Sequence, residues 1–260
     1  MERSARHTIM FTATLCLVFS LLVSSVSVAL RDRQEENRRL GRIKNVLAVA
    51  GIMGSSERLS RAELQARFDA NLVPRVVELA SGRYLDDVDP LAFDPRRAAR
   101  DPAQSRLAEA NPAKVRRVPH HALVFLLVED GRVEGIILPV EGTGLWSTLY
   151  GYLALEADAR TIRGLTFYEH GETAGLGGEV DNPRWKALWT GRLAFDEAWQ
   201  PAIRVVKGRA GPAPEDPYQV DGISGATLTA NGVTHLLHFW LGEHGFGNYL
   251  AEYRRALGAG

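Results

Sequence analysis

The sequence predicts an α+β fold, in which an antiparallel sheet with packed helices is joined to a single N-terminal transmembrane helix. Two observations predict it. Residues 8–30 form an apolar run without a charged side chain, and two later pairs of largely apolar segments are each separated by turn residues, as in β-hairpins. We expect a transmembrane helix over residues 1–30, a helical base and linker region over 31–118, and a sheet-containing domain over 119–260.

The apolar run is long enough, as a helix, to cross the hydrocarbon layer of a membrane. A cleaved signal peptide is the alternative, because Ser27 and Ala29 place small residues at the offsets of a cleavage site. The run is longer than a usual signal core, which favours the membrane helix. A lipoprotein signal at Cys16 is disfavoured, because bulky Leu15 precedes it and much of the apolar run follows it.

Charges on either side of the run bear on the orientation. Arg3 and Arg6 precede it. The basic residues that follow it are Arg31, Arg33, Arg38, Arg39, Arg42 and Lys44. A positive-inside count would keep the large domain in the cytoplasm, but this rule is weak for long domains.

The composition excludes several classes of function. The 31 basic side chains are balanced by 31 acidic ones, so no long-range positive field favours nucleic acid. With one cysteine, the chain alone cannot form a disulfide, a thiolate-rich zinc site or an iron–sulfur cluster. A redox function would therefore need a borrowed cofactor.

Helices are predicted in the first half. Residues 30–52 continue the span as an amphipathic helix. Ser60 and Glu63 form a capping box that opens a second helix, whose apolar face comprises Leu64, Phe68 and Leu72. Residues 86–117 are polar and interrupted by four prolines, which predicts a long surface loop with short helical pieces.

The second half predicts the sheet. Residues 122–128 and 133–140 form a hairpin around Asp130 and Gly131, and residues 150–156 and 161–168 form another. Further along, Asn182 caps a helix that begins at Pro183 and buries Trp185, Leu188 and Trp189. Residues 203–206 predict a short strand and residues 229–241 a helix.

The most informative stretch is residues 221–229, Asp-Gly-Ile-Ser-Gly-Ala-Thr-Leu-Thr. Gly222 and Gly225 permit a tight turn just before a helix. The N-terminus of that helix can hold a phosphate through its unpaired N–H groups. From these residues alone, a plain turn with Thr229 as the helix N-cap is the simpler interpretation.

Within this stretch, Ser224-Gly225-Ala226-Thr227 resembles the flavinylation motif of covalent FMN-binding domains. Further motifs at residues 30–34, 144–146, 171–179, 239–242 and 245–247 resemble the C subunits of Na⁺-translocating NADH:quinone oxidoreductases, so the resemblance covers nearly the whole chain. One departure is Ala174, where the family usually has proline.

The resemblance implies FMN bonded through its phosphate to Thr227, with Thr229 as the nearby competitor. A separate FMN transferase would install the FMN from FAD. The chain would relay single electrons from NADH toward quinone, coupled to Na⁺ export, as a redox carrier that is not a complete enzyme. Its partners would be the other membrane subunits of a complex of six, and its soluble domain would face the periplasm from the bacterial inner membrane.

Other expected FMN contacts are Ser224, Gly225, Ala226, Leu228, Leu145, Trp146, Thr173, Leu176, Gly177 and Lys207. The glycine-rich run 171–178 lets backbone approach a planar ring, and its spacing does not fit a dinucleotide fingerprint. Trp146 either borders the ring or fills the core. Lys207 either lies near the phosphate or is a solvated surface residue.

No catalytic residue and no metal site are predicted. His235 and His238 lack a third ligand with suitable spacing, and Glu172 with Glu179 is an unsupported hydrolytic pair. Two alternatives to the proposed carrier remain. One is the equivalent flavin protein of the related ferredoxin/NAD ion-pumping complex, and the other is a membrane-anchored, non-redox scaffold protein.

Overall fold

The computed structural model describes residues 2–54 and 57–258 and divides into two compact units, Met1–Arg42 and Ile43–Gly260. Helix α1 (Glu2–Val49) contains a segment, Ala5–Arg31, that is long and apolar enough to cross a membrane. None of the residues in its most apolar window is buried, as expected for a helix surrounded by lipid. The predicted helical continuation after the span is confirmed, although it ends at Val49.

The second unit combines a sheet with short helices, which confirms the predicted α+β class. The strands are β1 (Leu72–Glu78), β2 (Ser105–Leu107), β3 (Arg117–Pro119), β4 (His121–Glu129), β5 (Arg132–Thr143), β6 (Thr148–Glu156), β7 (Ile162–Glu169), β8 (Arg204–Val205) and β9 (Gln219–Val220). The further helices are α2 (Arg61–Asn71), α3 (Pro95–Arg100), α4 (Pro183–Ala187), α5 (Thr227–Leu241) and α6 (Gly247–Gly258).

Five of the strands form one antiparallel sheet in the order β1-β4-β5-β6-β7. Both predicted hairpins are present. The first turns at Asp130 and Gly131, whose φ angles of 49° and 77° suit the two-residue turns that match strand twist. In the second turn, the Asp158 carboxylate accepts the N–H groups of Arg160 and Thr161, both at 2.8 Å.

The edge strand β1 was not predicted, and the placement of Leu72 on the second helix was wrong. The capping box at Ser60 opens α2 as predicted. The helix then ends at Asn71, and Leu72 already has the extended angles φ −124° and ψ 128°. Pro74 explains the early end, because a proline disfavours helical backbone at the residue before it and is tolerated at a sheet edge.

The loop over residues 86–117 is more ordered than its composition predicts. Its short helical piece is α3, where Asp94 caps and Pro95 occupies the first turn. The unpredicted β2–β3 pair has strands of three residues, which are too short to show an alternating pattern.

Both faces of the sheet are covered by apolar side chains. Helix α5 packs one face through Leu236 and Trp240, which join the core that includes Leu138 and Leu153. Glycines allow this helix to approach β5 closely: a Cβ on Gly232 would lie 2.5 Å from the backbone oxygen of Thr143. The opposite face carries a second cluster, which includes Ile43, Leu47, Phe68, Phe125 and Ile137.

Candidate functional site

The predicted attachment turn ends where α5 begins. The helix starts at Thr227, two residues earlier than predicted, and Ala226 is its N-cap with φ −132° and ψ 43°. The interpretation of Thr229 as the N-cap is therefore wrong. Alanine has no side-chain oxygen to accept the N–H groups of the first turn, which leaves the N-terminus of a 15-residue helix suited to an anion.

The two threonines of the motif occupy opposite environments. The side chain of Thr227 is exposed. Thr229 is 0% exposed, and its hydroxyl donates a hydrogen bond of 2.5 Å to Oε2 of Glu172. Of the two threonine side chains, only that of Thr227 is therefore open to solvent.

Glu172 is the centre of the local hydrogen-bond network. Its Oε1 accepts the backbone N–H groups of Trp146 at 2.9 Å and Ser147 at 3.1 Å, and its Oε2 accepts that of Leu145 at 3.2 Å as well as the Thr229 hydroxyl. One carboxylate thus joins the β5–β6 turn, the glycine-rich run and the first turn of α5.

Two glycines make room for this carboxylate. A Cβ on Gly144 would lie 2.7 Å from Oε1 of Glu172, and one on Gly177 would lie 2.6 Å from Oε2 and 2.7 Å from Oγ1 of Thr229. All three distances are far below ordinary contact. A side chain at either position would displace the carboxylate or the hydroxyl.

The ionisation of Glu172 is set by opposing effects. Burial raises the pKa of Glu172, but the hydrogen bonds from the Thr229 hydroxyl and the backbone N–H groups of residues 145–147 lower it by more. The pKa is therefore held below the ordinary value of 4.5, and the carboxylate is ionised at neutral pH.

Apolar side chains around this junction are exposed. Leu145 is 43% exposed, Trp146 71%, Leu176 44% and Leu228 61%, so the interpretation of Trp146 as a core residue is wrong. Leu176 lies on the attachment turn: a Cβ on Gly225 would be 2.8 Å from Cδ2 of Leu176. Exposed apolar side chains beside a site for an anion suit a planar ring that carries a phosphate.

Comparison with known proteins places these residues in a family. The FMN-binding domain family matches residues 144–242, a range that contains the β5–β6 turn, the glycine-rich run and α5. The chain is 45% identical over 257 residues to the C subunit of the Na(+)-translocating NADH-quinone reductase from Pseudomonas aeruginosa, a match that covers 98% of each chain. This chain belongs to that family of C subunits.

Further comparisons agree with membership of the C-subunit family. The chain is 45% identical over 254 residues to the C subunit from Yersinia pestis, covering 96% of this chain and 94% of the relative. The crystal structure of NqrC from Shewanella oneidensis aligns with a TM-score of 0.77 at 34% identity, over 85% of this chain and 99% of that one. These matches favour the predicted family over the related ferredoxin/NAD complex.

Other predicted FMN contacts lie in or beside the same segments. Ser224 and Thr173 are exposed, whereas Gly177 is buried against Glu172. Lys207 is exposed, and its neighbour Gly208 accepts the N–H of Gly222 at 2.8 Å. The backbone near Lys207 therefore meets the start of the flavinylation motif, and a contact between the lysine and a phosphate stays a prediction.

Two side chains fix the surroundings of the motif. The indole Nε1 of Trp185 donates to the backbone oxygen of Asp221 at 2.9 Å, which ties α4 to the start of the turn. The ring of His238 donates to the backbone oxygen of Ile203 at 2.7 Å, and burial lowers its pKa. This histidine supports the packing of α5 on the segment before β8.

Sequence reasoning missed the role of Glu172 and treated it only as half of an unsupported hydrolytic pair. The donors to its carboxylate are mostly backbone N–H groups, which residue types alone do not reveal. The available signal was the glycine at position 144 together with the glycine-rich run, because both make room for a buried side chain.

The lowered pKa of Glu172 predicts a specific acid sensitivity. The stability that its ionised form contributes is present above a pH of about 4.5 and is lost as the pH falls through the lower pKa of the folded protein. We expect the melting temperature of the wild type to exceed that of Glu172→Gln at neutral pH, and the difference to shrink in acid. Thermal unfolding of both proteins between about pH 7 and about pH 3 measures this. A difference that stays constant over the range would contradict the ionised assignment.

Proposed function

We propose that Thr227 carries FMN as a phosphoester and that the chain serves as an electron-carrier subunit of the Na⁺-translocating NADH-quinone reductase complex. The observation that carries the proposal is the contrast between the two hydroxyls of the motif. Thr227 is exposed at the uncapped start of α5, and Thr229 is buried and bonded to Glu172. The membership of the C-subunit family supports the same conclusion.

The attachment needs no redox change. The Oγ1 of Thr227 attacks the phosphorus that bears the riboflavin half of FAD, the bond from that phosphorus to the bridging oxygen breaks, and AMP leaves. The hydroxyl proton passes to a base of the separate FMN transferase. The positive end of the α5 dipole stabilises the phosphate charge that remains on this chain.

The residues present fit an attached FMN. Ser224, Gly225 and Ala226 form the turn beside the phosphate, and Lys207 would add positive charge near it. The side chains that would border the ring are Leu145, Trp146, Leu176 and Leu228, and Thr173 and Gly177 would be further contacts from the glycine-rich run. When bound, FMN accepts and donates electrons, and the surrounding protein tunes its potential.

A covalent tether suits the proposed location. We place the soluble domain in the periplasm of a bacterium, anchored to the inner membrane by residues 1–30. Residues 119–260 form most of the FMN-binding domain, and β1 from the preceding region completes its sheet. Outside the cytoplasm, a lost flavin could not be replaced from a cytoplasmic supply. The partners are the other membrane subunits of the same complex of six, between whose redox centres electrons pass from NADH toward quinone.

Substitution of the two threonines tests the attachment site. Thr227→Val removes the accessible hydroxyl and should abolish covalent flavin, whereas Thr229→Val should keep it because the buried hydroxyl is not the acceptor. Each full-length protein is coexpressed with the FMN transferase, denatured, and inspected for flavin fluorescence after gel electrophoresis. A fluorescent Thr227→Val band together with a dark Thr229→Val band would show that Thr229 carries the ester. A dark wild-type band would favour the scaffold alternative.

Cysteine labelling tests the orientation. Cys16 is the only cysteine, so a Cys16→Ser background with Glu129→Cys offers one reactive thiol on the exposed first hairpin. A maleimide that does not cross the inner membrane should label this thiol in intact cells as strongly as in lysed cells. Labelling that requires lysis would place the domain in the cytoplasm.

A further inference from the structure

The carboxylate of Glu172 has a position that the attachment of flavin alone does not explain. It is 8% exposed, and it lies beneath the exposed side chains that would border the ring. Three of its hydrogen bonds hold residues 145–147, and the fourth holds the first turn of α5. The two halves of the site are therefore connected through one side chain.

We propose that Glu172 is a positioning residue of the flavin site, which keeps Leu145 and Trp146 docked beside the helix turn that carries Thr227. The proposal rests on the proposed function, since it assigns a role toward the flavin of that same site. Glu172 does not touch the reacting hydroxyl. It acts through the backbone of the β5–β6 turn and through Thr229.

The pattern of donors requires a carboxylate at this position. Each oxygen accepts two hydrogen bonds, and an ionised carboxylate presents only acceptors. A glutamine replaces one of these oxygens by an NH₂ group, which faces N–H donors that cannot reverse their direction. With the amide nitrogen at the position of Oε2, the Thr229 hydroxyl can turn to accept, but the N–H of Leu145 loses its acceptor.

The opposite orientation of the amide leaves more N–H groups without an acceptor. With the nitrogen at the position of Oε1, the N–H groups of both Trp146 and Ser147 lose their acceptor. An N–H that faces the largely buried side chain of residue 172 and finds no acceptor there is costly enough to drive a local rearrangement. Glu172→Gln should therefore release the turn at Leu145 while changing the side-chain volume very little.

Gly144→Ala tests the same contact by another route. It keeps the carboxylate and its charge, but the added Cβ would lie 2.7 Å from Oε1 of Glu172 and must push the two apart. If Glu172 acts through its position, Gly144→Ala should reproduce the effect of Glu172→Gln. If only its negative charge mattered, Gly144→Ala would behave like the wild type.

Glu169→Gln is the matched control. It makes the same chemical change three residues earlier, at the end of β7, where the carboxylate pairs with Arg96 at 2.8 Å and is 56% exposed. Its carboxylate has no hydrogen bond to residues 145–147 or to α5 among those of the described residues. A general loss of charge or stability should therefore appear in both glutamine variants, and a loss of positioning only in Glu172→Gln.

The experiment uses the full chain, coexpressed with the FMN transferase and purified in detergent. The readouts are the covalently bound flavin per chain, the visible circular dichroism per bound flavin, and the melting temperature. We expect Glu172→Gln and Gly144→Ala to lose about twofold or more of the circular dichroism, because a loosened support lets the ring reorient. We expect Glu169→Gln to match the wild type.

The outcomes separate the two proposals. If the wild type carries flavin and all three variants show its circular dichroism, the positioning role is wrong and the proposed function stands. If the wild type carries no flavin, the proposed function itself fails. Should Glu172→Gln not fold, Gly144→Ala alone decides: an unchanged signal overturns the role, and a reduced signal at an unchanged melting temperature supports it.

Discussion

The hydrogen bonds to the buried carboxylate of Glu172 are the interaction on which the rest of the site depends. The sheet brings three segments together at one end of its strands: the β5–β6 turn, the run that follows β7, and the start of α5. Two of these segments, the β5–β6 turn and the start of α5, present donors there. The carboxylate accepts from both and belongs to the third segment, so this end of the sheet becomes a rigid support for an exposed threonine.

Close packing fixes the orientation of α5 on the sheet. Gly232 lets the helix approach the end of β5, and Gly142 allows the same from the strand, since its Cβ would lie 2.5 Å from Cβ of Leu236. With the helix fixed in this way, Thr229 points into the protein and Thr227 points out of it. The difference between a buried and a solvent-exposed threonine thus follows from two residues of helical rotation.

The sequence predicted the elements with a strong local signal. Both hairpins, the capping box at Ser60 and the membrane helix have patterns that short-range physics determines. The strand β1 was not predicted, because its pairing with β4 is long-range. The predicted start of α5 was wrong because Ala226 is not a preferred N-cap residue. Trp146 was ambiguous since tryptophan is common in cores, and its exposure depends on backbone contacts to Glu172. The prediction that Thr227 is the attachment residue came from resemblance and not from local chemistry.

We propose an ester between the hydroxyl of Thr227 and the phosphate of FMN. Fragmentation mass spectrometry of the peptide that spans residues 222–239, from protein purified from its own host, tests it most directly. We expect the peptide to be heavier than its unmodified form by one FMN less one water, with the added mass on Thr227. An unmodified peptide, or the same mass on Thr229, would contradict it.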